Sequence, residues 1–554
     1  MTKRSYITTP IYYANGGPHI GTTYTTLIAD VLARSKRVLW YQVKFVTWTD
    51  ENGQKMVKTA AEEGKEVMGY LDEIEVLFRD TWEKLNISYT DYIRTTHPTH
   101  HAFVTSILED ALEKWHVYQG EYEGLYCVWC EGFKKPWDLI DHEWEKVCPD
   151  HLKAPDSIKE KNRFFKLKEF QSALEEFYKN HPDFAKPWFR YNEITSFVDQ
   201  GLEDFSISRE GGDFGIPLPG DFQDPWSVVY IRFDALYNYL TACLHPEDFT
   251  KNWQSVSWEK DDMIFWNNPT HPEKSEVIHT IGKDISRFHA IYRPAMLMSS
   301  EYKIPNTEII NGFFTVDWQK MSKSLGNKID PLELLEEHGR DALVYYLFSD
   351  IKIWNDGDFS RERFEIAKEN VLKKGWGNLV SRAGKLCKKY EIRNWKLMMD
   401  NWRLMDMAKE SWLDKGNILR SAIVEADVLK IEQYVDSVDY MSFLRDRFAL
   451  VQLGNQYMQH QEPWVKIKDP ATEQEAREDL QVMLRLIKNL ALISSPFLIE
   501  WFARVQKIIQ VQHSDWASFQ TFENESDPEW VMKKFQALLE LKEFEVKFGE
   551  GYVY

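Results

Sequence analysis

The chain reads as an α/β protein. A Rossmann-type parallel-sheet domain is interrupted by an insertion and followed by an all-α bundle. Three observations predict this. Residues 5–47 run strand, glycine-rich turn, helix, strand, the opening of a nucleotide-binding α/β unit. Residues of about 118–225 break that pattern with a stretch rich in aromatics, Cys, Pro and charge. From about residue 360 the chain carries helical patterning with few strand signals.

Taken in order, Ile7 and Ile11 lie in a β-like opening that runs into the turn-rich Ala14-Asn15-Gly16-Gly17-Pro18. Leu27, Val31, Leu32 and Val38 recur at helical spacing and predict a helix from about Thr22 to Leu39. Phe45-Val46-Thr47 predicts a short strand, and Val228–Phe233, Val277–Ile281 and Ile309–Val316 resume the strand pattern after the insertion. The stretch after Pro528 reads as a further helix.

At 554 residues the chain is too long for one core. Hydrophobic content of 43% with 28% charged residues is that of an ordinary globular protein. No apolar run approaches the ~18 residues of a membrane span, and Met1–Tyr6 lacks the apolar stretch of a secretory signal. Five cysteines argue against a disulfide framework and for a reducing cytoplasm. A net charge of −19 disfavours nonspecific nucleic-acid binding but leaves room for a local basic track.

Two motifs carry chemistry. Pro18-His19-Ile20-Gly21 falls at the mouth of the first helix, where N–H groups and the helix dipole suit an anion. An imidazole there can hydrogen-bond phosphates, and Gly21 permits close approach to the backbone. About three hundred residues later comes Lys320-Met321-Ser322-Lys323-Ser324, whose two lysines can neutralise a departing pyrophosphate. Alone, the second motif is equally a solvated loop, and His-x-Gly is weaker still. Between them stand Cys127-x-x-Cys130 and, eighteen residues beyond Cys130, Cys148-x-x-His151. Four ligands in two closely spaced pairs suit one tetrahedral, structural Zn²⁺. The competing reading is a redox Cys-x-x-Cys with an unrelated Cys and His.

In this order, these features resemble the ATP-handling motifs of class I aminoacyl-tRNA synthetases. Tyr12–Gly16, Thr49-Asp50-Glu51, Phe233–Leu236, Gly282–Ile285, Phe288–Ala290, Gly312–Thr315 and Pro463-Trp464 narrow the resemblance to the methionyl-tRNA synthetase family, over roughly residues 5–510. It implies a methionine–tRNA ligase that uses ATP with Mg²⁺, serves tRNA(Met) including initiation, and works without a membrane as a cytoplasmic monomer. It divides the chain into two catalytic halves (1–117 and 225–322), the zinc-bearing insertion (118–224), the Lys-Met-Ser-Lys-Ser loop with a stem-contact region (323–360), an anticodon-binding helical domain (361–510) and a helical tail (511–554).

Residue by residue, the resemblance places His19, Gly21, Thr22, Gly282, Asp284, Lys320, Ser322 and Lys323 on ATP, with His19, Lys320 and Lys323 catalytic. It places Ile11, Tyr13, Asp50, Arg232, Tyr239, Ile285, Phe288 and His289 around methionine, Asp50 holding the ammonium. Apolar and aromatic walls suit a polarizable thioether. Asn378, Arg382, Pro463 and Trp464 fall on anticodon positions, the first two sharing a helix face and the indole offering a platform for an unstacked base. A capping Asn, an ion-paired Arg and core aromatics are the plainer readings. Another class I synthetase, or an RNA-binding paralogue with a disabled site, are the alternative functions.

Several positions depart from the family. Trp40, Trp48, Trp129, Trp318 and Trp354 stand at glycine or small-residue positions, Trp40 at the left-handed position that ends a helix. Arg232 and Arg293 stand where the family has tryptophan. The chain has 26 Gly, about 5%, and 22 Trp, against a usual ~7% Gly. Such directed swaps predict that the source organism reads UGA as glycine and CGG or CGA as tryptophan, while the sequence is written otherwise. A divergent enzyme with a repacked pocket is the competing view. Thr22 and Asn52 replace frequent family histidines and fit neither codon scheme.

Overall fold

In this computed structural model, residues 3–127, 132–134, 139–142, 145–149, 153–210, 214–219, 227–244, 263–267, 275–316, 319–320, 329–392, 394–396, 428–511 and 543–548 are described. The main sheet has seven parallel strands: β1 (Lys3–Thr8), β2 (Tyr12–Tyr13), β3 (Tyr41–Asp50), β4 (Asp91–Arg94), β5 (Ala185–Lys186), β6 (Ser275–Gly282) and β7 (Thr307–Asn311). Their order is β5-β7-β6-β1-β3-β2, with β4 also paired to β3. β1 therefore has β3 on one side and β6 on the other. The chain order reverses there, and ligands bind such sheets outside the carboxyl ends of the strands at that point.

Helix α1 (Ile20–Val38) connects β2 to β3. Its residues Tyr24, Leu27, Ile28, Val31 and Leu32 are buried against the sheet and the helices beyond it, and Lys36 and Arg37 in its last turn suit the dipole. Residues Val228–Phe233, expected as one strand, divide. Ser227–Val229 pairs antiparallel with Ser208–Glu210 outside the main sheet, and helix α2 (Ile231–Thr241) begins two residues later. Phe233, Leu236, Tyr237 and Leu240 follow helical rather than alternating spacing, and all are buried. Ile309–Val316 divides too, into β7 and Phe314–Val316. A Cβ on Gly312 would lie 2.1 Å from the Asn355 carbonyl oxygen, so the strand breaks where residues 351–357 cross it.

In the segment expected as an insertion, an antiparallel sheet runs Phe205–Ser206, Asp156–Phe165, Val117–Cys127, Gly132–Lys134. The same segment also lends β5 to the main sheet. Beyond it, α3 (Arg340–Asp350), α4 (Asn378–Lys389), α5 (Tyr440–Gln461), α6 (Glu473–Ser494) and α7 (Ile499–Ile508) pack as a bundle. This bundle shares one apolar core with α1. The tail differs from its helical expectation in its last described residues: Glu543–Phe548 is a strand between Asn394–Lys396 and Ile509–Val511. Phe544, Val546 and Phe548 alternate with charged residues there, the period of a strand. Residues 512–542, including the helix expected after Pro528, lie outside the described residues.

Candidate active site

β2, β3, β6 and β7 end at Tyr13, Asp50, Gly282 and Asn311, so these residues gather along one edge of the sheet. At this edge α1 begins. His19 is its N-cap: Nδ1 accepts from the Gly21 and Thr22 amides at 3.1 and 3.4 Å. Thr22 Oγ1 accepts from His19 N at 2.9 Å and donates to His19 O at 2.8 Å, completing a capping box. Because Nδ1 accepts, the proton of the neutral ring sits on Nε2, the atom able to donate to a phosphate. Thr22 thus orients the histidine in this structure rather than offering its hydroxyl proton to a ligand.

The second motif is hung beside the first. Lys320 pairs with Thr315 in a short strand, and Ile20 N, in the first turn of α1, donates to Ile329 O at 3.3 Å. Residues 321–328 run between these anchors. Ser322 and Lys323 lie outside the described residues, and only the backbone of Lys320 is described. On the rim, the Asp284 carboxylate lies close over Gly282, where a Cβ would stand 2.6 Å from Asp284 Oδ1. Asp356 accepts from Lys283 Nζ at 2.6 and 2.7 Å and from Phe313 N at 2.9 Å, tying the 351–357 loop to this rim.

Beside this edge the expected pocket residues converge. Tyr239 is fully buried, and its hydroxyl lies 2.6 Å from His289 Nε2. His289 Nδ1 lies 3.0 Å from Ile285 O. A carbonyl only accepts, so Nδ1 carries the proton and Nε2 receives the Tyr239 hydroxyl. Burial pushes His289 down to about 3, so the ring is neutral. Ile11, Ile285 and Phe288 are half-buried against the same cluster. Asp50 is buried at the end of β3, in register with the exposed Tyr13. Arg232 is half-buried with its guanidinium 4.2 Å over the Phe288 ring; it stacks on the pocket wall rather than placing a buried charge inside. Trp48 is fully buried, donating to Thr9 O at 3.1 Å and packing edge-on to Tyr239 at 4.7 Å. Asn52 donates to Thr95 O at 3.2 Å and Asp234 Oδ2 at 2.8 Å, which makes it a structural clasp.

Cys127 ends its strand in register with Gly132. Cys148 N donates to Lys153 O at 2.9 Å. The Cys127 and Cys148 thiols are buried and form no disulfide; Cys130, His151, Trp129 and Trp318 lie outside the described residues. Among the described residues no group of three or more metal-type ligands comes together, and two of the four expected zinc ligands are among those not described.

On the bundle, Asn378 and Arg382 share a face of α4. Asn378 Nδ2 donates to Asn455 Oδ1 at 3.1 Å and Arg382 Nη2 to Gln459 Oε1 at 3.3 Å. The Arg382 guanidinium sits 5.0 Å over the ring of Trp464, which follows the buried Pro463. Asn455 and Gln459 were not read from the sequence; only their i, i+4 spacing on α5 could have paired them with α4.

A parallel sheet with a His-x-Gly helix mouth, and with the residues flanking a Lys-Met-Ser-Lys-Ser segment anchored at Thr315 and at Ile20, defines a class: the class I aminoacyl-tRNA synthetases. Comparison with known proteins is narrower. Residues 5–154 and 136–384 match the family model of class I tRNA synthetases (M), and residues 413–527 match the anticodon-binding domain of methionyl tRNA ligase. A methionine–tRNA ligase of Nostoc sp. is 38% identical over 90% of this chain and 88% of its own length. A chloroplastic/mitochondrial methionine–tRNA ligase of Arabidopsis thaliana is 35% identical over 88% and 74%. Mycobacterium tuberculosis methionyl-tRNA synthetase, solved with methionyl-adenylate, superposes with a TM-score of 0.80 at 29% identity, covering 91% of this chain and 94% of that one. The chain belongs to the methionyl-tRNA synthetase family. Among the described residues no helix is long and apolar enough to cross a membrane.

Proposed function

We propose that this chain ligates methionine to tRNA(Met), initiator included, in two ATP-driven steps. The methionine carboxylate attacks the α-phosphorus of ATP, forming methionyl-adenylate and releasing pyrophosphate. The adenylate then acylates the tRNA 3′ end. The observation that carries this reading is the junction of the two motifs: the loop bearing Ser322 and Lys323 springs from Lys320 beside Thr315 and returns at Ile329, bonded to the mouth of α1. There His19 presents Nε2–H to the phosphates, and Lys320 and Lys323 take up the charge of the departing pyrophosphate. Gly21 and Ser322 complete the phosphate side, Thr22 serves it through its cap on His19, Gly282 and Asp284 hold the ribose, and Mg²⁺ arrives with ATP. Ile11, Tyr13, Arg232, Tyr239, Ile285, Phe288 and His289 enclose the thioether side chain, with Asp50 on its ammonium. Cys127, Cys130, Cys148 and His151 hold one zinc that braces the insertion. Asn378, Arg382, Pro463 and Trp464 read the anticodon. The division at residues 117, 224, 322, 360 and 510, a cytoplasmic location and a monomeric state belong to the same reading. Methionine-dependent ATP–pyrophosphate exchange tests it; a folded, zinc-loaded protein that exchanges nothing overturns it.

The identity of several residues is part of this proposal. Trp40 and Trp115 have φ of 76° and 60°, a left-handed backbone that costs a bulky L-residue about 1–2 kcal/mol. Each follows the C-cap of a helix, and Trp115 and His116 donate to Leu112 O and Ala111 O, both at 2.9 Å, in the pairing that ends helices on glycine. These backbones support reading residues 40 and 115 as glycines in the native chain, and the same decoding reads residues 232 and 293 as tryptophan. Neither Trp48 nor Trp354 has a positive φ; at these two the case rests on family resemblance. Peptide masses from the source organism decide it, with Trp in the native 38–44 peptide overturning the decoding.

A further inference from the structure

Two adjacent buried side chains at the start of α3 join the ATP helix to the far bundle. Arg340 spends each nitrogen of its guanidinium on a different element: Nε on Leu85 O at 2.8 Å, Nη1 on Phe497 O at 2.9 Å and Nη2 on Asp30 Oδ2 at 2.8 Å. Asp30 sits mid-way along α1, fully buried, and also accepts from Arg34 Nε at 2.9 Å and from Ser88 N and Oγ at 2.8 Å each. Asp341 points the other way. It accepts from the Glu500 and Trp501 amides at 3.2 and 2.6 Å, capping α7, whose own N-cap residue Leu498 makes no side-chain bond. Gly339 makes the approach possible: its φ is 79°, and a Cβ there would lie 2.9 Å from Glu500 Oε2. Trp501 in turn packs edge-on against Trp376 at 4.6 Å, two residues before Asn378.

We propose that Arg340 and Asp341 are positioning residues for adenylate formation, setting the register of α1, and with it the His19 imidazole, from the helical bundle. The inference rests on the reading of His19 as a phosphate ligand and of the bundle as the anticodon domain. Asp30 and His19 lie on one helix, about 16 Å apart at 1.5 Å per residue. A shift at Asp30 is carried to the helix mouth because a helix moves as a unit. Displacements well under 1 Å at a reacting centre lower rates severalfold, and 1 Å costs about a hundredfold. A lysine at 340 keeps the charge but has one donor head, which cannot meet Asp30 and two carbonyls at once.

The test is methionine-dependent ATP–pyrophosphate exchange, without tRNA, on the full chain and on Arg340→Lys, Arg340→Met and Asp341→Asn. The expected result is a kcat for exchange reduced about tenfold to a hundredfold in Arg340→Met, with the KM for methionine within twofold of the parent. Arg340→Lys should recover part of the loss. Asp341→Asn, with its fold checked by thermal unfolding, should lower kcat about threefold to tenfold. If the parent itself does not exchange, the functional reading fails rather than this one. If the parent exchanges and both Arg340→Lys and Asp341→Asn match its kcat within twofold, the joint is overturned. Aminoacylation by Arg340→Lys combined with Arg382→Ala separates positioning from bulk stability: non-additive kcat losses support the link, and additive losses overturn its extension to the bundle.

Discussion

Arg340 and Arg293 are both arginines at 1% exposure, and they live in opposite surroundings. Arg340 meets a carboxylate and two carbonyls, each nitrogen with its own acceptor. Arg293 donates from Nε to Leu236 O at 3.1 Å and lies 2.5 Å from His279 Nε2, while Nη2 has no partner among the described residues. Burial pulls its pKa down to about 10. Glu308 is the acid nearest in effect, yet both its carboxylate oxygens also lack partners, and burial lifts it to about 8. Around the Arg293 guanidinium are rings, Tyr239 at 4.3 Å and Trp266 at 5.1 Å. One site is built for a guanidinium; the other is an aromatic box of the kind an indole fills. A buried ion is retained where its hydrogen bonds are complete and is a liability where they are not.

The same substitution should therefore have opposite signs at the two positions. Arg340→Met leaves the Asp30 carboxylate buried with one cation fewer and should destabilise by about 3–5 kcal/mol. Arg293→Met, or Arg293→Trp, removes an unmatched charge and should be neutral or stabilise by about 1–4 kcal/mol. Urea unfolding measures both, and an equal loss at the two positions would erase the distinction. A smaller effect sharpens the second site. Glu308 near pH 8 when folded and near 4.5 when unfolded binds a proton in the native state that the unfolded chain has lost. Its contribution is present below pH 4.5 and is lost as pH rises through 8, on the order of 5 kcal/mol in total. Glu308→Gln should flatten that decline, and removing the Arg293 charge should extend it to higher pH.

Much of this site was legible because its residues are local in sequence. His19 and Gly21 announce a helix mouth, and α1 begins at Ile20, within two residues of its expected start. The capping role of Thr22 is equally local, three residues from His19, the spacing of a capping box. What crosses the chain was not legible. Asn455 with Asn378 and Gln459 with Arg382 are 77 residues apart, and Arg340 reaches Asp30 across 310. No periodicity encodes such pairs; they exist only once helices have packed. Phe233 illustrates a different failure. Val228-Val229-Tyr230-Ile231 reads as a strand, but the helical spacing of the buried residues after it governs.

The contrast between matched and mismatched surroundings extends to the backbone, where it yields the smallest and cleanest prediction. Gly339 and Trp115 occupy the same left-handed region, at 79° and 60°, one with the residue that suits it and one without. Trp115 is 78% exposed, so replacing it removes little packing, and the change in stability reports mainly on the backbone. Trp115→Gly should stabilise the fold by about 1 kcal/mol, the Cβ penalty less the extra chain entropy that glycine brings to the unfolded state. Trp115→Ala is the control, since it discards the indole but keeps the Cβ. If alanine stabilises as much as glycine, the gain comes from removing an exposed ring, and the backbone at 115 carries no argument for glycine. If only glycine stabilises, the backbone specifies the residue that the written sequence lacks.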